Sequence, residues 1–175
     1  MNDALSLDMP ADEGAISFAR GFVRSEAFML LFREGMGLVE HTASYLDGDG
    51  RKESAALPRM ASLTYATESM RLTTRLMQIA SWLLVQRAVS EGELTAEQAR
   101  AENRKVKIAD TAVSSAPEDV AQLPETLREL MLHSQRLQAR IRHLEDQMSG
   151  EGRVEATNPV QSQLASLQAR LGFAG

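Results

Sequence analysis

Three long stretches in which apolar side chains recur at helical spacing constrain the fold of this chain most strongly. Within each stretch the apolar positions advance by alternating steps of three and four residues, which places them along one side of an α-helix. The stretches have similar lengths: the first covers residues 17–47, the second begins between Arg51 and Pro58 and ends before Gly92, and the third covers about residues 120–148. One tight and one longer connection join them, so the sequence predicts an all-α fold, an antiparallel three-helix bundle.

The spacing also predicts which residues each long helix turns towards the core. In the first helix they are Phe18, Phe22, Met29, Phe32, Met36, Val39, Ala43 and Leu46. In the second helix they are Met60, Leu63, Thr67, Met70, Thr74, Met77, Ser81, Leu84 and Ala88. In the third helix they are Val120, Leu123, Leu127, Leu130, Ser134, Leu137, Ile141, Leu144 and Met148.

Turn and capping signals separate the helices. The turn sequence "DGDGR", Asp47–Arg51, ends the first helix, and Gly92 is a C-cap that ends the second. The capping box "TAEQ", Thr95–Gln98, predicts an additional short helix that runs to about Asn103. Pro124 predicts a kink in the third long helix or a delayed start.

The composition of the two ends predicts flexible tails. We expect residues 1–16 to form a flexible N-terminal tail and residues 17–149 to form the bundle domain. Residues 150–175 are expected to form a linker and a short C-terminal amphipathic helix, in which "NP" at 158–159 suits the N-cap and first turn.

The second helix is apolar on more sides than a three-helix bundle needs. Between Leu76 and Val85 only Gln78 and Ser81 are polar. This apolar part is too short to span a bilayer, which takes about 20 residues. We therefore expect protein to cover the surplus, with a homodimer as the favoured cover and the rest of the same chain as the alternative.

The first helix carries a similar surplus in a second row beside its main stripe: Phe28, Leu31, Gly35, Leu38, Thr42 and Tyr45. Gly35 and Gly37 each cost a helix roughly 1 kcal/mol relative to alanine. A close approach by another helix at these glycines would offset that cost.

The sequence lacks the residue patterns that enzyme and metal sites require. Cysteine is absent, and the Asp47–Arg51 turn lacks the glycine and the glutamate that an EF-hand loop needs. The histidines have no zinc-ligand spacing, and the sequence has no phosphate-binding loop or nucleophile elbow. We therefore expect no enzymatic activity, no cofactor and no metal ion. The acidic N-terminus has no signal peptide pattern, which indicates a cytoplasmic protein.

The basic cluster "RAENRKVK", Arg100–Lys107, precedes a leucine-rich helix, as a basic region precedes a leucine zipper. A DNA-associated or transcriptional regulator with a helical dimer scaffold is therefore the alternative function. Pro117 and Pro124 interrupt the continuous helix that a basic zipper requires. The net charge of −5 also argues against binding to nucleic acid.

The blocks "LFREGMGLVEHTASYLDGDGR", Leu31–Arg51, and "LTYATESMRLTTRLMQIASWLLVQRAVSEGELT", Leu63–Thr95, closely resemble the alphaproteobacterial family of the regulator of CtrA degradation, RcdA. The resemblance covers about residues 17–105 well, and the third helix is similar in pattern more than in letters. Neither tail shows the likeness.

This resemblance implies a non-enzymatic protease adaptor that is a dimeric three-helix bundle with a flexible C-terminal tail. Proteins of this family join the ClpXP protease through a single-domain response regulator, CpdR. They deliver cell-cycle substrates, among them CtrA through the cyclic-di-GMP-binding partner PopA, and they are associated with the cell pole. The expected partners are thus a second copy, a CpdR-like regulator, ClpXP, a PopA-like protein and substrates such as CtrA.

The candidate contact residues lie on the second helix and in the tail. Glu68, Arg71 and Arg75 share one helix face, and Trp82 and Val85 continue that face as a dimer or partner interface. In the tail, the apolar residues of the short helix are candidates for docking: Leu164, Leu167 and Leu171. Each assignment has a structural alternative. The charged residues could form a surface ion-pair ladder, Trp82 could be a core aromatic, and the tail helix could pack back on the bundle.

Overall fold

The computed structural model describes residues 21–105 and 115–149. These residues form helices and contain no strand, which confirms the predicted all-α class. The helices are α1 (Glu26–Asp47), α2 (Asp49–Ala56), α3 (Arg59–Glu91), α4 (Ala96–Lys105), α5 (Pro117–Val120) and α6 (Glu125–Ser149). None of the described helices is both long enough and apolar enough to cross a membrane.

Both ends of α1 are set by local hydrogen bonds. Ser25 is the N-cap, and its hydroxyl accepts a bond from the Phe28 amide. At the other end the Gly48 amide donates to the carbonyls of Ser44 and Tyr45. The predicted end of the first helix at Asp47 is confirmed, while the short helix α2 that follows it was not predicted.

The capping signals around α4 and α6 also act as the sequence predicts. Gly92 ends α3 in the left-handed conformation, with φ at +79°. The Thr95 amide donates to the Gln98 side chain at 2.9 Å and the Gln98 amide donates to the Thr95 hydroxyl at 3.2 Å, a complete capping box. Pro124 delays the third long helix, which begins at the next residue.

The long connection between α3 and α6 sets the direction of the third long helix. Ser115 lies beside Glu68 in the first third of α3, whereas Leu137 and Leu83 both approach Gly35 of α1. Moving along the chain from Ser115 to Leu137 therefore follows the same direction as moving from Glu68 to Leu83. Thus α3 and α6 run parallel, and the antiparallel contacts of the bundle are those that α1 makes with both.

The core face predicted for the third long helix is confirmed. Leu127, Leu137 and Ile141 are almost fully buried, and Ser134 lies among them with no exposed surface. This helix has one apolar stripe and a charged opposite side, so its orientation follows from the sequence.

The core face predicted for the second long helix is wrong, because α3 faces the core with the opposite side. The residues that α3 buries are Ala61, Tyr65, Glu68, Leu72, Leu76, Ile79, Trp82, Leu83 and Gln86. Met70, Met77 and Leu84 of the predicted stripe are exposed. Both sides carry small or apolar residues at heptad spacing, so the pattern does not distinguish them.

The first helix is also turned relative to its prediction. Its second row, from Phe28 to Tyr45, is the buried one, while Met29 of the predicted stripe is exposed and Phe32 is half-buried. A Cβ atom at Gly35 would collide with Leu83 Cδ1, so α1 and α3 approach closely there. The expected close approach is confirmed at Gly35 but not at Gly37, where a Cβ atom would meet nothing within 4 Å.

Candidate protein-interaction site

Of the five residues on α3 predicted to contact partners, two belong to the bundle interior and three lie at its edge. Glu68 and Trp82 are buried, with 5% of the surface of each exposed, and Arg71, Arg75 and Val85 are half-buried. The predicted placement of Glu68 and Trp82 on the outer surface is therefore wrong, because the rotation of α3 turns them inwards. A contact role for Arg71, Arg75 and Val85 stays a prediction.

Glu68 is the centre of a polar cluster that fastens the start of α5 to α3. The Ser115 hydroxyl and the Arg71 guanidinium each donate to Glu68 Oε1 at 2.5 Å. Arg71 Nη1 also lies 3.3 Å from Ser115 Oγ. A buried carboxylate is tolerated because a cation and a hydroxyl satisfy it, so this cluster holds the crossover segment in place.

Arg75 makes a second polar link, between α3 and α6. Its Nη1 donates to the Ser134 hydroxyl at 3.1 Å, and that hydroxyl donates to the Met131 carbonyl. Ser134 therefore interrupts the apolar stripe of α6 because it accepts this bond. Arg75 thus joins two helices, whereas Arg71 pairs with Glu68 along α3, as in the ladder alternative, and also contacts Ser115 ahead of α5.

Trp82 packs in the core with its indole N–H buried. Trp82 Nε1 has no hydrogen-bond partner among the described residues. Its large apolar ring belongs to the same core cluster as Leu83 and Ile79. The aromatic therefore contributes to the stability of the bundle, which was the structural alternative to an interface role.

A surface network joins α1 to α6. Glu34 Oε2 accepts a bond from Arg140 Nη1 at 2.7 Å, and Glu34 Oε1 lies 3.1 Å from His133 Nε2. Partial burial acts to raise the pKa of Glu34, but the bonds and charges of His133 and Arg140 outweigh it and hold the pKa below its ordinary value.

Two tyrosines close the end of the bundle where α1, α2 and α3 meet. Tyr45 donates to Glu53 Oε2 at 2.6 Å, and a Cβ atom at Gly50 would lie 2.6 Å from the Tyr65 hydroxyl. Burial, and then the Glu53 carboxylate, raise the pKa of Tyr45 above its ordinary value. Burial also raises the pKa of Tyr65. These contacts make α2 a cap on the core.

The outward side of α3 holds five of the eight large apolar side chains that are exposed in the described part of the chain. Met60, Leu63, Met70 and Met77 are each exposed over more than three-fifths of their surface, and Leu84 over 49%. We call this surface the outer stripe of α3, defined by Met60, Leu63, Thr67, Met70, Thr74, Met77, Ser81 and Leu84. Patches of this kind mark contacts with other proteins.

The chain is similar to one protein family of undescribed function and to a solved bacterial structure. The family described as a protein of unknown function, DUF1465, matches residues 19–171. The crystal structure of RcdA from Caulobacter crescentus CB15 matches with a TM-score of 0.60 and 53% sequence identity, over 74% of this chain and 96% of that chain. The chain belongs to the RcdA family. The search of curated proteins found no match.

Membership of the RcdA family confirms the resemblance and extends it. The sequence likeness was expected to fade after residue 105, but the DUF1465 match continues to residue 171. It therefore includes the tail positions Leu164, Leu167 and Leu171, which lie outside the described residues. Their predicted docking role stays a prediction.

The basic cluster of this RcdA-family chain lies on a helix of its own. Arg100, Arg104 and Lys105 belong to α4, where Lys105 pairs with Glu102 at 2.6 Å. Val106 and Lys107 of the cluster lie outside the described residues, and the chain is not helical at residues 121–124, immediately before the leucine-rich α6 begins at Glu125. A continuous basic and leucine-rich helix is therefore not formed.

Sequence reasoning missed the partners of the polar residues. It found Glu68, Arg71 and Arg75 but not Ser115 or Ser134, because these contacts join residues far apart in the chain. The only available signal was the polar Ser134 inside an otherwise leucine-rich stripe.

Proposed function

We propose that this protein is a non-enzymatic adaptor that delivers cell-cycle regulatory proteins to the ClpXP protease for regulated proteolysis. One observation carries the proposal: the chain shares 53% identity with RcdA over 96% of that protein. Identity at this level over nearly the whole length of the relative supports binding surfaces that are shared by the two proteins.

The mechanism is colocalisation. An adaptor holds its substrate beside the protease and raises the effective concentration of the substrate without new chemistry. The bundle supplies rigid helix faces for this purpose, and the half-buried Arg71, Arg75 and Val85 lie at the edge of one such face.

The partners follow from the same family membership. The protein acts as a homodimer in the cytoplasm, at the cell pole. It joins ClpXP through a CpdR-like response regulator and receives substrates such as CtrA through a PopA-like protein that binds cyclic-di-GMP. The residues Leu164, Leu167 and Leu171 form a docking helix for one of these proteins.

The test is a degradation assay with purified ClpXP, the CpdR-like regulator, the PopA-like protein with cyclic-di-GMP, and CtrA. Adding this protein should raise the degradation rate at low substrate concentration by at least about tenfold, because tethering replaces a bimolecular encounter. A control substrate that ClpXP recognises by its own terminal tag should be degraded at the same rate with and without it. An unchanged rate for CtrA contradicts the adaptor proposal.

A capture experiment tests the partner set directly. Affinity purification from cells that express an inactive, substrate-trapping ClpXP should recover the protease and the response regulator. Retention of DNA that falls steeply with salt, with neither protein recovered, would favour the DNA-associated alternative instead.

A further inference from the structure

The exposed side of α6 carries a cluster of basic residues. Between Leu130 and Leu144 the helix has no acidic residue, and its three arginines and two histidines are His133, Arg136, Arg140, Arg142 and His143. Four of these follow each other in steps of three and four residues, which places them along one side of the helix. We call this side the basic face of α6, defined by His133, Arg136, Arg140 and His143, all of which are exposed.

Much of the positive charge on the basic face is available for binding. Among the described residues Glu34 is the carboxylate that pairs with the face, where it accepts a bond from Arg140 and lies 3.1 Å from His133 Nε2. Arg140 remains 56% exposed, and its guanidinium has more N–H donors than this one bond uses. Arg136 forms no hydrogen bond or ion pair with any residue that the structure describes. The face can therefore accept further negative charge.

Two exposed leucines border the basic face. Leu132 is 47% exposed and precedes Arg136 by four residues, so the two side chains are neighbours on α6. Leu30 is 58% exposed and precedes Glu34 by one helical turn, on the side of α1 that meets α6. A ligand that suits this surface therefore combines carboxylates with large apolar side chains.

One segment of the chain itself has this composition. Three segments lie outside the described residues, and two of them, 106–114 and 150–175, have no net charge. Residues 1–14 contain no lysine or arginine and four acids: Asp3, Asp8, Asp12 and Glu13. Large apolar residues lie between these acids: Leu5, Leu7 and Met9. The rest of the chain has a net charge of only −1, so it does not oppose the return of this segment to the bundle.

The segment also enters the bundle at the correct end. Because α1 runs antiparallel to α6, moving from Glu34 back to the start of α1 leads towards the His143 end of the basic face. The face from His133 to His143 is about 15 Å long at 1.5 Å per residue. Residues 1–14 can extend over about 46 Å at 3.3 Å per residue. The segment can therefore cover the whole face while the chain stays connected.

We propose that residues 1–14 dock on the basic face of α6 of the same copy, with carboxylates against Arg136 and Arg140 and apolar side chains against Leu30 and Leu132. A tethered segment has an effective concentration near its site of about the millimolar range, which a separate acidic protein does not reach. The family match begins at residue 19, so this contact is a property of this chain and is independent of the proposed adaptor function.

A spin label on the segment tests the contact in the full chain. The chain has no cysteine, so Ser6→Cys provides the single attachment site for a nitroxide, and the amides are observed by NMR. Because an affinity in the millimolar range already half-fills a tethered site, we expect the amide signals of residues 133–143 to lose about half of their intensity or more at low salt. In 1 M salt, where the Debye length is about 3 Å, the signals should recover.

Two sets of variants show which charges are responsible. Arg136→Gln/Arg140→Gln should restore the signals, and so should neutralisation of the four acids of the segment, which lie outside the bundle core. Arg104→Gln/Lys105→Gln on α4 is the matched control, since it also removes two exposed positive charges, and it should leave the loss of intensity unchanged. Circular dichroism verifies that each variant is folded.

Three NMR outcomes would overturn the proposal. The first is full intensity of residues 133–143 at low salt, and the second is a loss of intensity confined to another part of the bundle. The third is a loss of intensity in isotope-labelled chains without a nitroxide when they are mixed with spin-labelled chains, which would assign the face to the segment of another copy.

Heparin, an acidic polymer, tests whether the segment shields the face from other acidic ligands. The variant Asp3→Asn/Asp8→Asn/Asp12→Asn/Glu13→Gln should elute from a heparin column at a higher salt concentration than the wild type. Adding Arg136→Gln/Arg140→Gln should abolish this gain, and adding Arg104→Gln/Lys105→Gln should not. An equal reduction by the two arginine and lysine pairs would show a general effect of net charge and overturn the proposal. The protease takes no part in either test, so neither result depends on the adaptor proposal.

Discussion

At the scale of single residues, the contacts that hold this bundle together join side chains distant in sequence. Glu68 binds Ser115, Arg75 binds Ser134, and Gly35 admits Leu83. Glu68 is a buried acid, Gly35 is a glycine inside a helix, and Ser134 is a polar residue in an apolar stripe, so each looks unfavourable from the local sequence. The distant contact partner explains why each of these residues is tolerated at its position.

Gly35 gives a prediction with a built-in control. We expect Gly35→Ala to destabilise the fold by about 1–3 kcal/mol, because the added Cβ would collide with Leu83 Cδ1, which is the cost of overpacking. Gly37→Ala should instead stabilise the fold by about 0.5–1 kcal/mol, since nothing lies near and alanine favours helix. Urea unfolding of both variants measures the difference, and equal effects would contradict the close approach.

The Glu68 cluster gives a second residue-scale prediction. We expect Glu68→Gln to lower the free energy of unfolding by about 2 kcal/mol, because it leaves the half-buried Arg71 without its counter-ion. Glu91→Gln removes an exposed ion pair with Arg87 and should change the free energy of unfolding by less than about 0.5 kcal/mol. Thermal and urea unfolding measure both, and similar small losses would show that the cluster does not fasten the crossover.

Glu34 makes stability depend on pH. Its pKa is lowered in the folded state, so folding favours its charged form relative to the unfolded chain, where a glutamate titrates at about 4.3. The stabilisation is present above that value and is lost as pH falls through the lower folded pKa. The difference in unfolding free energy between wild type and Glu34→Gln, measured from pH 3 to 7, should therefore shrink below about pH 4. A difference in unfolding free energy that grows as the pH falls would contradict the expected pH dependence.

At the scale of elements, α3 shows what periodicity determines and what it leaves open. Its two opposite sides carry heptad stripes, one centred on Leu72 and one on Met77. The stripe with the bulkier aromatic and aliphatic residues packs against α1 and α6. The stripe with hydroxyls and methionines faces outwards, and its threonine and serine hydroxyls donate to carbonyls of their own helix.

Paired variants on α3 test this orientation. Ile79→Ala should cost about 2–5 kcal/mol at any protein concentration, because it leaves a cavity in the core. Met77→Ala, two residues earlier, changes an exposed side chain on the outer stripe, so its cost should stay within about 0.5 kcal/mol. Urea unfolding at low and high protein concentration distinguishes the two, and a large concentration-independent loss for Met77→Ala would reverse the assignment of the faces.

At the scale of the whole molecule, we expect the bundle to supply the stability of the proposed adaptor and the C-terminal segment to dock a partner. We expect a chain ending at Ser149 to unfold with the free energy of the full chain, within about 0.5 kcal/mol, the usual range for changes remote from the core. The same truncation should reduce CtrA degradation if Leu164, Leu167 and Leu171 dock a partner. A truncated chain that is fully active would assign docking to the bundle alone.

The sequence by itself determined the helical class, the end of the first helix at Asp47, the Gly92 cap, the Thr95 capping box, the delayed start after Pro124 and the core face of α6. These follow from local hydrogen bonds, backbone conformation and a single apolar stripe, all of which act within a few residues.

Only the tertiary structure decided which side of α1 and of α3 faces inwards, that α3 and α6 run parallel, and that Glu68 and Trp82 are buried. These depend on how well two helix surfaces fit together, and where both sides of a helix are apolar the burial of one is chosen by its neighbours. For α3 the side packed inwards is centred on Leu72, and the side centred on Met77 stays exposed.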